Sequence, residues 1–197
     1  MPKIVDHEQR RTQIAEATWR VILDNGMEGA TVRNIAKEAG LSLGALRHYF
    51  STQNELLIYA MNLVKERATN RINKIVMSDL PPKEKVVSIL MEIVPVNTET
   101  KAEMEVWLAF TFYSKSKVEI FDHVNDGIFQ GIQKLMTLLE MNQLLKKNVN
   151  KDIEVERLYA IVDGLAFHAM QEPQRVTKEW IHSVFTYHLD SICIDDE

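Results

Sequence analysis

The sequence predicts an all-α protein, a three-helix N-terminal head followed by a larger helical domain. Three observations predict it. Only seven glycines and five prolines interrupt 197 residues. The long stretches between these breakers repeat apolar residues at helical spacing. Residues 31–50, TVRNIAKEAGLSLGALRHYF, read as two short helices joined by a tight glycine turn.

The elements follow in order. A first helix is predicted over about 8–25, with Ile14, Ala17 and Val21 inward, Trp19 or Ile22 beside them, and Gly26 as its stop. Thr31 then suits an N-cap, because its hydroxyl accepts a hydrogen bond from a free first-turn amide. Val32, Ile35, Ala36 and Ala39 share the next inward face. Gly40 falls where a left-handed cap penalises a Cβ. Ser42 caps the following helix, which turns Leu46, Tyr49 and Phe50 inward and Ser42, Gly44, Ala45, Arg47 and His48 outward. A short helix, a glycine turn and a second short helix is the pattern of a DNA-reading helix-turn-helix.

A long helix is expected over about 52–76, stopped by the Ser78–Pro82 segment, with Pro82 suited to start the next. Helices then follow over about 83–94, 99–114 and 117–145. Asn148, Asn150 and Asp152 mark a loop, with Asp152 as N-cap of a helix over 153–171. Thr177 caps a last helix running to about Ile192, and the IDDE tail is expected to fray. The last two helices carry apolar stripes wider than one core contact needs. Ala160, Gly164 and Ala166 allow close approach, so two-fold pairing of these helices into a four-helix bundle is expected.

From Arg10 to Leu57 the chain resembles the TetR family of bacterial transcriptional regulators. The resemblance rests on RRTQIAEATWRVILDNG, then Gly29-Ala30-Thr31, the helix-turn-helix, Phe50-Ser51 and Glu55-Leu56-Leu57. GALRHYF and VDGLAFHA are similar to the BetI-like branch. The resemblance implies a DNA-binding domain over 1–52 and a helical ligand-binding and dimerisation domain over 53–197. It carries DNA contact onto Thr31, Arg33, Ser42, Gly44, Ala45, Arg47, His48, Tyr49 and Gln53. By their chemistry, Thr31, Tyr49 and Gln53 suit phosphates, while Arg47 and His48 can reach base edges. Many family members have tyrosine at the position of Arg47 and lysine at that of Gln53. The role of Arg47, base or phosphate, stays open on these grounds. Arg10 and Arg11, ahead of the motif, suit a phosphate contact or a solvated face equally.

The implied function is that of a ligand-responsive repressor, binding a palindromic operator as a homodimer. The implied effector is an apolar or amphipathic small molecule. Trp107, Phe110, Tyr113 and Phe167 are the first choices to line its pocket, although core packing accounts for each singly. A cationic effector would want a buried carboxylate, for which Glu103, Glu105 and Asp163 are candidates. Two other readings stand beside this one: an architectural DNA-binding protein without effector, and a helical module that binds a lipid or small molecule.

Net charge is −5, unusual for a DNA binder, but it is unevenly spread. Residues 1–50 carry seven Lys/Arg against six Asp/Glu, and the rest carry 16 against 22. The less acidic part therefore faces the polyanion, with modest and salt-sensitive affinity. No apolar run approaches a membrane span and MPKIVDHEQRR lacks an apolar signal core, so a cytoplasmic location is expected. Cys193 is alone, which excludes an internal disulfide. No phosphate loop, nucleophile elbow or HExxH pattern occurs, so neither catalysis nor a cofactor is expected. His123, His168, His182 and His188 lack metal-ligand spacing, even with Asp122 and Asp126 near His123, so no metal is expected.

Overall fold

The computed structural model describes residues 6–114 and 127–194. Every element in them is helical: α1 (His7–Gly29), α2 (Val32–Glu38), α3 (Leu43–Tyr49), α4 (Gln53–Val76), α5 (Pro82–Glu92), α6 (Thr98–Ser114), α7 (Gly127–Met141), α8 (Lys151–Gln171) and α9 (Lys178–Ile192). Among them no helix is long and apolar enough to cross a membrane. The Asp122, His123 and Asp126 positions, and the 117–126 part of the helix expected over 117–145, lie outside the described residues.

Contacts divide the chain into two compact units. One holds the described residues up to Arg67 and those from Ala102 to the end of α6. The other holds Ala68–Lys101 and everything from α7 on. The division therefore falls at different residues from the 52/53 boundary that the family resemblance implies. The first turns of α4 pack into the head, because Leu56, Leu57, Ala60, Met61, Leu63 and Val64 are all buried there.

In the first unit, Asp6 caps α1 by accepting the Glu8 and Gln9 amides at 3.0 and 3.3 Å. Ile14, Trp19, Val21 and Ile22 face a core completed by Ile35, Leu46, Phe50, Leu57, Val106 and Phe110. Trp19 settles its one polar atom by donating Nε1–H to the Ala60 carbonyl at 2.9 Å. Gly26 takes φ 67°, so α1 kinks there and a further helical turn buries Met27 before α2 begins.

In the second unit, α5 packs on α7 and α9, and α7 packs on α8. Val86, Leu90, Ile132, Met136, Leu158, Val162, Phe185 and Leu189 fill the centre. Arg71 of α4 pairs with Glu92 at 2.7 Å and Glu99 at 3.4 Å. His188 is also inside, 3% exposed, with Glu154 Oε2 3.8 Å from its Nε2.

Three details differ from the sequence expectations. The α7 helix stops at Met141 rather than 145, because Gln143 adopts φ 57°. Its N–H bonds the Glu140 carbonyl at 2.9 Å, and the Leu144 N–H bonds the Leu139 carbonyl at 3.0 Å. This is a Schellman ending with glutamine where glycine is usual. The α8 helix is capped by Asn150, whose Oδ1 accepts the Ile153 amide at 3.3 Å, and Asp152 sits in its first turn. The start of the tail is pinned: Ile194 donates to the Leu144 carbonyl at 2.8 Å, and Lys146 donates to the Ile192 carbonyl at 2.9 Å.

Candidate nucleic-acid interface and effector domain

The α2–α3 unit is built by local chemistry. Thr31 Oγ1 accepts the Asn34 amide at 3.3 Å, and Ser42 Oγ accepts the Ala45 amide at 3.1 Å. Between the helices, Gly40 has φ 64°; it donates to the Lys37 carbonyl at 3.1 Å, and Leu41 donates to Ala36 at 2.8 Å. That Schellman turn reverses the chain without a Cβ penalty. A seven-residue helix is marginal by itself, so α3 is held by what it buries. Leu46 and Phe50 are each 1% exposed, and burying such side chains contributes roughly 1.5–3 kcal/mol apiece.

This anchoring leaves an outward face. Ser42, Gly44, Arg47 and His48 are exposed, as are Thr31 and Arg33 on the preceding turn and helix, while Ala45, Tyr49 and Gln53 are half-buried. The side chains of Arg33, Lys37 and Arg47 make no hydrogen bond or ion pair among the described residues, so their charge is uncommitted. By contrast, Arg20 is paired with Glu38 at 2.6 Å. Gln53 is partly occupied by the fold, because its Nε2 donates to the Ala30 carbonyl at 2.9 Å. That bond ties the start of α4 to the turn before α2. Thr52 caps α4 by accepting the Glu55 amide at 3.0 Å.

Sequence reasoning left Lys37 out of this surface and did not foresee His7 packing beside it. Lys37 lies one turn after Arg33 on α2, a spacing that could have found it. His7 lies 5.0 Å from the Tyr49 ring and 6.3 Å from the His48 ring, a contact across 42 residues that no local pattern signals. Arg11, read as a phosphate contact or a solvated cation, lies instead against aromatic rings of the head.

The residues named for an effector fall in both units. Trp107, Phe110 and Tyr113 follow one face of α6 and pack on the apolar cluster of the head, with Phe110 1% exposed. Lys65 Nζ lies 5.7 Å from the Trp107 ring centroid. Phe167 belongs to the second unit and is 51% exposed. Glu103 is buried on α6 four residues before Trp107; Glu105 is half-buried and Asp163 exposed. Two open grooves of about 500 and 330 Å³ lie along α7, lined chiefly by Gln133, Thr137 and Met141 in one and by Phe129, Lys151 and Asp152 in the other. None of the four residues named for the effector lines either groove.

An apolar helical head presenting a short, capped, outward-facing second helix, joined to a separate helical unit, defines a helix-turn-helix regulator. The family model for bacterial regulatory proteins of the tetR family matches residues 14–60, and that for the BetI-type transcriptional repressor C-terminal domain matches 82–194. The chain belongs to the TetR family of bacterial transcriptional regulators, with a C-terminal domain of the BetI type. The HTH-type transcriptional regulator PksA of Bacillus subtilis (strain 168) is 63% identical to it over 196 residues, spanning 100% of this chain and 96% of that protein. BetI of Proteus mirabilis (strain HI4320) is 28% identical over 197 residues, covering 92% and 94%.

Solved structures agree on the fold. A transcriptional regulator from Rhodococcus sp. Rha1 superposes with TM-score 0.78 at 23% identity, over 92% of this chain and 95% of that one. A protein from Saccharomonospora viridis, solved in complex with choline, superposes with TM-score 0.83 at 20% identity, over 95% and 100%.

Proposed function

We propose that this regulator is a cytoplasmic repressor that binds a pseudo-palindromic operator as a homodimer and releases it when a small molecule occupies the C-terminal domain. The observation that carries the DNA-binding part is the outward face of α3, where Arg47 and His48 stand beside Gly44 on a helix held from behind by Leu46 and Phe50. In this reading Arg47 and His48 read base edges, Gly44 and Ala45 let the helix sit deep, and Ser42 with Thr31, Arg33, Tyr49 and Gln53 holds the register on phosphates.

Dimerisation through the last two helices is supported by what they leave uncovered. On α8, Ile153, Ala160 and Phe167 recur every seven residues on an exposed stripe, with Gly164 between them. On α9, Trp180 and Tyr187 do the same, 56% and 80% exposed. A second copy laid on these stripes covers them and closes a four-helix bundle. Two heads so joined would reach half-sites about 34–36 Å apart, or a multiple of that. Effector coupling of about 1–3 kcal/mol changes operator affinity roughly 5- to 150-fold.

The effector is read as an apolar or amphipathic molecule recognised by the aromatic residues Trp107, Phe110 and Tyr113 of α6. A second reading, a quaternary ammonium, is favoured by Glu103, a buried carboxylate one turn from Trp107, since aromatic faces and a carboxylate together suit such a cation. Binding of the full-length protein to its own upstream intergenic DNA at two salt concentrations tests the whole reading. Specific binding lost in Arg47→Ala/His48→Ala, with dimer and helicity retained, is the expected result. Equal operator affinity with and without choline, and with and without a panel of amphipathic acids, would remove the effector part.

A further inference from the structure

The first two turns of α1 grip the far end of the recognition helix, and nothing in the DNA reading above uses them. The Arg11 guanidinium carbon lies 4.6 Å from the centroids of both the Phe50 and the Tyr59 rings. Phe50 ends α3 and Tyr59 lies on α4; their rings are 5.3 Å apart at 63°, so the guanidinium fills the angle between them. Arg11 Nη2 is also 3.6 Å from Glu55 Oε1, and the other oxygen of Glu55 accepts the Ser51 amide at 2.9 Å. Nε is buried with no acceptor within reach, so the ring faces and the single ion pair are what hold this group. One turn earlier, on the same face of α1, His7 lies against Tyr49 and His48. Tyr49 and Phe50, at the end of the recognition helix, are thus held from one side by two residues of α1, and Ser51 is held by Glu55, the ion-pair partner of Arg11.

We propose that Arg11, with His7 a turn before it, is a positioning residue for operator recognition: it sets the angle at which α3 is presented, and it does not contact phosphate. The proposal rests on α3 being the DNA-reading helix. A planar guanidinium can lie against two rings while keeping an ion pair, whereas a lysine ammonium is a compact point charge that cannot. A phosphate contact needs only the charge, so there lysine would serve. The residue types in the grip fit the first role.

The experiment uses full-length Arg11→Lys, Arg11→Met, His7→Ala and His7→Phe, with Arg47→Ala/His48→Ala as control. Each is titrated over a range of salt against a duplex carrying the operator and a scrambled duplex of the same length. Arg11→Lys and Arg11→Met are both expected to weaken operator binding by about 5- to 150-fold, the worth of one misplaced base contact, with scrambled-duplex affinity and salt slope unchanged. His7→Phe, which keeps a ring on Tyr49, should bind like wild type, and His7→Ala should not. Wild-type operator binding by Arg11→Lys overturns the proposal. So does an equal loss on both duplexes in Arg11→Met with a salt slope shallower by about 0.9 per arginine withdrawn. If circular dichroism shows Arg11→Met unfolded, Arg11→Lys and His7→Ala decide. Should the Arg47/His48 control bind normally, the recognition-helix reading itself falls and the proposal with it. If the control fails to bind while Arg11→Lys binds normally, only the Arg11 proposal falls.

Discussion

Replacing Gly44 by alanine separates stability from DNA reading at a single methyl group. Gly44 is the second residue of α3, is exposed, and a Cβ built there meets nothing within 4 Å. In the free protein the methyl therefore clashes with nothing, and it removes backbone freedom from the unfolded chain. Glycine inside a helix costs about 0.5–1 kcal/mol relative to alanine. For a chain of this size, that raises the melting temperature by about 1–4 °C. On DNA the sign reverses. If Gly44 is where the helix approaches the groove most closely, the methyl must fit into a close-packed interface, and overpacking of that kind costs about 1–3 kcal/mol. Operator affinity then falls roughly 5- to 150-fold. Calorimetry and fluorescence anisotropy on the same preparation read both quantities. A stabilised variant that binds operator as tightly as wild type would refute the placement of Gly44 against the bases. A destabilised one would refute the helix-propensity argument.

Gly40→Ala carries the opposite prediction for stability: space is open there too, but φ is 64°, and a left-handed alanine costs about 1–2 kcal/mol, measurable as a lower urea midpoint. His188 gives a pH dependence. Burial holds its pKa below the ordinary 6.5, against the pull of Glu154 and aided by Arg157. The neutral ring is favoured in the folded state, so its contribution is complete above about pH 6.5 and is lost as pH falls below it. His188→Leu should flatten that part of a melting-temperature profile while leaving the arm above about pH 7 unchanged. If the proposed dimer forms through α8 and α9, Phe167→Glu or Tyr187→Glu should convert it to monomer in sedimentation with little change in monomer helicity, because both side chains are exposed in the single chain. A dimer unaffected by either would move the interface off α8 and α9.

What the sequence determined by itself was the part of the molecule built from neighbours in the chain. Thr31, Ser42 and Thr177 cap helices as their hydroxyls suggested, each accepting an amide three residues on. Gly40 occupies the left-handed position that its place after Ala39 required. The outward Ser42, Gly44, Arg47 and His48 followed from the inward Leu46 and Phe50, because a 3.6-residue period leaves little choice once one face is buried. Tertiary structure decided whatever depends on distant partners or on a residue acting against its type. Gln143, not a glycine, takes the left-handed turn that ends α7, held there by two backbone bonds. Gln53 turns its amide onto Ala30, 23 residues back. Arg11 lies on Phe50 and Tyr59 rather than facing solvent, and Phe167 stands on the surface of its unit while Phe110 is enclosed. Periodicity reports which side of a helix is apolar, but which apolar residues are covered, and by what, is set by the helices that come to lie beside it.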